Sequence, residues 1–110
     1  MSKLVTKQSR ELPKGTPALS ESEVKALLAE LPGWEVVDGG KRIAKTYAFK
    51  NFYETTAFLN AAFWVIHRED HHPDLEASYK NCRFTFWTHT VGGLSENDFI
   101  TAAKIEALPH

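Results

Sequence analysis

The chain has one cysteine, Cys82, in 110 residues. A single thiol cannot close an intrachain disulfide, and it excludes the cysteine-based zinc frameworks as well. Cys82 is expected simply as a small residue within a strand. Long apolar runs are missing too. None approaches the roughly 20 residues that span a bilayer, and Met1 to Lys7 holds no apolar stretch of signal-peptide length. A cytoplasmic protein with no membrane partner is the expectation. Nor is there an excess of one charge. Thirteen Lys and Arg stand against 14 Asp and Glu, and no basic cluster exceeds the two residues Lys41 and Arg42. Nucleic acid demands a basic footprint, so no nucleic-acid partner is expected. With 43% hydrophobic and 25% charged residues the composition is that of one ordinary globular domain.

Residues 1–18 carry Pro13, Gly15 and Pro17 and no hydrophobic period. They are expected to form a flexible N-terminal arm, with the domain over 19–110. Ser20 and Glu23 make a capping box, with Leu19 and Val24 as its hydrophobic staple. Val24, Leu27, Leu28 and Leu31 then recur at helical spacing until Pro32 and Gly33. Trp34 to Val37 reads as a strand, Asp38 to Lys41 as a tight turn, and Ile43, Lys45, Tyr47 and Phe49 as one face of the returning strand. Asn51 caps a long second helix whose stripe holds Phe58, Ala61, Ala62 and Val65. Pro73 obliges that helix to end near Asp70 or His71. Leu75, Ala77 and Tyr79 alternate on a third strand. Phe84, Phe86 and Thr88 alternate on a fourth, with Arg83, Thr85, Trp87 and His89 opposite. Gly92 and Gly93 break the chain. Ser95 and Asp98 open a last helix that buries Ile100, Ala103 and Ala107. The order is α-β-β-α-β-β-α. It predicts an α+β two-layer sandwich: a four-stranded antiparallel sheet with three helices on one face.

Four of the five histidines, His67, His71, His72 and His89, fall in one short region, and His110 is the last residue. Histidine is the side chain that gives or takes a proton near neutral pH without being perturbed. A helix continuing through His71 would align it with His67. The hairpin of strands three and four would return His89 to the neighbourhood of Pro73. His71, His72 and His89 thus converge from two elements, with Asp70 adjacent and Asp98 at the start of the next helix. Three chemistries fit. Three histidines and a carboxylate could ligate zinc, but the residue after His67 is the cation Arg68, so no metal is expected. Histidines at a helix end can cap free carbonyls. Alternatively, one imidazolium protonates a leaving hydroxyl while a neutral imidazole takes a proton elsewhere. Each such group contributes typically about 10²–10⁴-fold, with no cofactor.

The spacing His67-x3-His71-His72-Pro73-x5-Tyr79-x9-His89-x8-Asp98 covers 32 residues. It resembles the signature of the pterin-4a-carbinolamine dehydratases. Further landmarks are Leu31 to Trp34, Phe49 to Phe52, and Gly93 to Asp98, so that the resemblance runs from about Leu19 to Leu108. It implies a four-stranded antiparallel sheet with three helices on one side, assembled into homodimers or homotetramers. The implied reaction dehydrates 4a-hydroxytetrahydropterin to quinonoid dihydropterin, and thereby recycles the tetrahydropterin cofactor of aromatic amino acid hydroxylases. By resemblance the catalytic set is His71, His72, His89 and Asp98. His71 and His89 would form the main acid–base pair and His72 would orient substrate. Asp70, Trp87, Thr88 and Thr90 would line the site, and Trp34 would pack near it. One position departs from the pattern: His67 stands where the family often has Glu. The alternative is a non-catalytic module for pterin binding, dimerisation or regulation, as in relatives that partner a transcription factor. Asp98 is open to both a capping and a functional role, since it stands at the third helical position.

Overall fold

The computed structural model describes residues 3–110. Seven main elements follow the predicted order: α1 (Glu21–Leu28), β1 (Glu35–Val37), β2 (Arg42–Ala48), α2 (Phe52–Glu69), β3 (Asp74–Ala77), β4 (Asn81–Phe86) and α3 (Glu96–Glu106). The strands form one antiparallel sheet in the order β1-β2-β4-β3. The two hairpins therefore lie side by side, with their second strands paired at the centre through Lys45↔Phe84 and Tyr47↔Cys82.

Strand alternation sends Ile43, Tyr47, Cys82, Phe84 and Phe86 to the helical side, where all five are buried. They meet Phe58, Leu59, Ala62, Val65 and Ile66 of α2, Phe99, Ile100 and Ala103 of α3, and Val24 of α1 in one core. Truncating a fully buried aromatic such as Phe84 to alanine would cost about 3–5 kcal/mol. The opposite face of the sheet is polar. There Arg83 donates to Thr46 Oγ1 at 3.0 Å, and the Arg42 guanidinium lies 3.9 Å above the Trp87 ring. Cys82 is buried in β4, and burial pushes its thiol up to about 11, so it stays protonated at neutral pH.

Local signals place the ends. Ser20 accepts from Glu23 N–H while Glu23 returns a carboxylate oxygen to Ser20 N–H, closing the expected box. Asn51 Oδ1 accepts from Glu54 N–H at the start of α2. Asp70, at φ 51° and ψ 42°, ends α2 in the left-handed conformation, which Asp tolerates better than most residues. His67 and His71 therefore do not share a helical face, contrary to the expectation of a continuing helix.

Other differences have local causes. β4 stops at Phe86 because Thr88 pairs with Gly93, its N–H donating to Gly93 O at 2.8 Å. That pairing pulls His89 to Val91 into a single 3₁₀ turn, closed by Gly92 at φ 67°. Tyr79 is in the β3–β4 turn rather than on β3, since Ser78 N–H already bonds Asn81 O. Its exposed ring stacks on Phe52. Ala107 lies just beyond α3 and is exposed, while Ile105 takes the buried place.

The largest correction concerns the arm. Lys3–Thr6 forms a 3₁₀ turn whose Leu4 is 1% exposed and belongs to the core. Ser9 N–H donates to Glu69 Oε1, and Arg10 N–H to Asn97 Oδ1. Residues 3–10 are thus packed on the domain. Their polar composition hid one apolar anchor and several backbone bonds that no periodicity announces.

Candidate active site

His71 and Asp98 meet by way of the sheet. The β3–β4 ladder closes on the Asp74↔Thr85 pair, three residues short of His71 on one side and of Thr88 on the other. Thr88 pairs back to Gly93, and the chain then enters α3 through Ser95, which brings Asp98 underneath. His71 Nε2 lies 2.5 Å from Asp98 Oδ1. Asp98 Oδ2 accepts from the Thr88 hydroxyl at 2.8 Å and from Ser95 N–H at 2.9 Å. Thr88 Oγ1 also lies 2.6 Å from Ser95 Oγ. The Asp98 carboxylate is fully buried, and its three donors compensate for the lost water. A carboxylate held this way accepts from Nε2–H of His71. Such a contact favours the tautomer with hydrogen on Nε2, the form in which Nδ1 can accept a proton. The His71 ring lies nearly parallel to Phe86, 5.8 Å between centroids, which fixes its plane.

The imidazole borders an open polar cleft of about 520 Å³. His71, Thr88, Thr90 and Asp70 line one part of it, and Ser9 and Arg10 of the N-terminal segment line another. Glu69, also on its wall, is bridged to Lys104 at 2.7 Å. Burial alone would raise the Glu69 carboxyl, but Lys104 and Ser9 N–H outweigh it and hold it below its ordinary range.

The other expected site residues are placed differently. His72 and His89 are exposed, and His89 sits between the two lining threonines. Trp87 is half-buried on the polar sheet face beneath Arg42. Trp34 is 5% exposed and is separated from His71 by Phe86, on which both rings pack. Its Nε1–H donates to Glu106 Oε1, which also accepts from Lys45 Nζ and the Tyr47 hydroxyl. Trp34 thus belongs to a second polar cluster, away from the cleft. His67 is exposed on α2. Among the described residues, no three His, Cys, Asp or Glu side chains are grouped to hold a metal ion. No helix among them is long and apolar enough to cross a membrane.

Residues 17–108 match the family model described as pterin 4 alpha carbinolamine dehydratase. The chain belongs to that family. A protein of Nitrosospira multiformis, named "Putative pterin-4-alpha-carbinolamine dehydratase", is 50% identical over 105 residues, 96% of this chain and 91% of its own. One of Stenotrophomonas maltophilia with the same name is 53% identical over 90 residues, 82% and 78% of the two chains. The crystal structure of a transcriptional coactivator/pterin dehydratase from Brucella melitensis superposes with a TM-score of 0.78 at 34% identity, covering 82% of this chain and 96% of that one. A pterin dehydratase-like protein described as a RuBisCO assembly factor of the alpha-carboxysome shares the fold, with a TM-score of 0.61 at 22% identity over 70% of this chain and 89% of that one.

Sequence reasoning missed Ser9, Arg10, Glu69 and Asn97 as residues around the cleft. Asn97 stands beside Asp98 and could have been suspected from that adjacency. Nothing in the polar arm marks Arg10.

Proposed function

We propose that this protein is a hydro-lyase that dehydrates 4a-hydroxytetrahydropterin to quinonoid dihydropterin in the cytoplasm, as a homo-oligomer, and so regenerates tetrahydropterin cofactor. The observation that carries the reading is the His71–Asp98 pair beside the cleft in a chain of this family. Loss of water requires the C4a–O bond to break and the N5–H bond to give up its proton. His71 Nδ1 takes the N5 proton, and the buried Asp98 carboxylate stabilises the imidazolium that results. His89 gives a proton to the departing hydroxyl, which leaves as water. The electron pair of the N5–H bond forms the new C4a=N5 double bond. One proton is taken and one is given, so no net proton is consumed. His72 orients the substrate, and Asp70, Thr88 and Thr90 contact the ring system. No redox partner is needed.

The test is the dehydration of freshly generated 4a-hydroxytetrahydropterin, followed by absorbance. Wild type should accelerate it, and His71→Ala and His89→Ala should each lose on the order of 10²-fold or more. Folded wild-type protein that gives no acceleration would sink the dehydratase reading in favour of a non-catalytic pterin-binding or dimerisation module.

A further inference from the structure

The N-terminal segment lies outside the residues matched by the family model, yet it forms part of the cleft that holds His71. Its attachment is specific. The Asn97 carboxamide grips the Arg10 peptide on both edges: Oδ1 accepts from Arg10 N–H at 3.1 Å, and Nδ2 donates to Arg10 O at 2.7 Å. Asn97 is 6% exposed, so both bonds are sheltered from solvent. The neighbouring Ser9 N–H reaches Glu69 Oε1 at 2.8 Å, and Lys7 pairs with Glu96 at 2.8 Å. These anchors directly adjoin the site residues in sequence: Glu69 precedes Asp70 and His71, and Asn97 precedes Asp98.

All these bonds at position 10 use the backbone. They decide where the residue sits and say nothing of which side chain it carries. Arg10 is exposed and lines the cleft, and among the described residues its guanidinium makes no ion pair or hydrogen bond. Arg68 also lines the cleft, but its guanidinium stands 5.0 Å over the Trp64 ring. Arg10 is therefore a cationic residue of the cleft that holds His71 and, among the described residues, has no ion-pair partner. A guanidinium is donor-only and presents its N–H groups in a planar fork. That geometry suits a carbonyl oxygen at the edge of a flat heterocycle.

We propose that residues 9–12 are a wall of the substrate cleft and that Arg10 binds substrate, donating to the carbonyl oxygen of the pyrimidinone ring of the pterin. This rests on the dehydratase reading above and goes on to assign the binding of the non-reacting ring. That ring does not change in the reaction, so the contact holds ground state and transition state alike. Its loss should raise KM and leave kcat nearly unchanged.

The experiment compares wild type, Arg10→Ala and Arg10→Lys in turnover and in equilibrium binding of 7,8-dihydrobiopterin, read by fluorescence. Thermal midpoints should coincide, because the backbone anchors are retained. Arg10→Ala should raise both Kd and KM about tenfold with kcat within about twofold. Lysine should recover only part of the loss, since it keeps the charge without the fork. Unchanged Kd and KM in Arg10→Ala, beside active wild type, would overturn the assignment of Arg10 and leave the dehydratase reading standing. Wild type that neither binds the dihydropterin nor turns over substrate would overturn both.

Discussion

Asp98 gives one carboxylate oxygen to His71 and the other to Ser95 N–H and the Thr88 hydroxyl. The cap of α3 and the tautomer of the imidazole are thus one interaction. Asp98→Asn keeps the shape but turns one acceptor into a donor facing Nε2. Activity should fall on the order of 10²-fold or more, since the imidazolium loses its counter-charge. Asp98→Ala should in addition lower stability by about 1–3 kcal/mol for each donor left unsatisfied. Kinetics beside urea unfolding separates the two effects. An Asn variant with full activity would leave Asp98 a cap alone.

The three histidines of the central segment should not be equivalent. His72 is exposed and, among the described residues, makes no hydrogen bond, so His72→Ala should cost less in kcat than His71→Ala and act chiefly on KM. His67 lies on the exposed side of α2, outside the cleft. His67→Glu, which installs a carboxylate at that position, should leave kcat within about twofold. Steady-state constants of the three variants check this. A large gain from His67→Glu would mean that position 67 reaches the site.

Acid should weaken the fold through Glu106. Burial would raise its carboxyl, but Lys45 Nζ at 2.7 Å and the Tyr47 hydroxyl at 2.5 Å outweigh burial, and Trp34 adds a third donor. Its pKa in the folded chain is therefore below the ordinary 4.5. Such a group contributes stability that is fully present above the unfolded pKa and is lost as pH falls through the folded one. Glu106→Gln should thus be less stable than wild type at neutral pH, and the gap should narrow as the pH drops well below 4.5. Urea midpoints across that range give the answer, and a gap that stays constant would count against the linkage.

The packed N-terminal segment makes a further claim. Leu4 is 1% exposed in the core, so Leu4→Ala should cost about 2–5 kcal/mol. A flexible arm would give almost no change. Chemical denaturation of the purified variant distinguishes the two.

Legibility followed periodicity. The strands and helices were readable because Phe84 and Phe86 alternate and Phe58, Ala62 and Val65 recur at helical spacing, and caps at Ser20, Asn51 and Ser95 marked the starts. His71 and Asp98 entered one candidate set through a spacing that resembles one family's, but their direct contact was not legible. Two further things were not readable. Where β4 ends depends on the Thr88–Gly93 bridge, a pairing between an ordinary threonine and a glycine that composition cannot announce. The place of Trp34 depends on Glu106, 72 residues away. The arm failed for the same reason: its bonds to Glu69 and Asn97 run through backbone groups, and every sequence carries those.

The bond between Arg10 and Asn97 spans 87 residues. A ribosome makes residue 10 well before residue 97, and chains elongate at about 5–20 residues per second. For several seconds the arm and the first elements exist with nothing at their docking surface. Leu4 has no core to enter until α3 is made, since its 3₁₀ turn packs on that helix. The cleft is therefore completed only once α3 has been made, by a segment synthesised long before it.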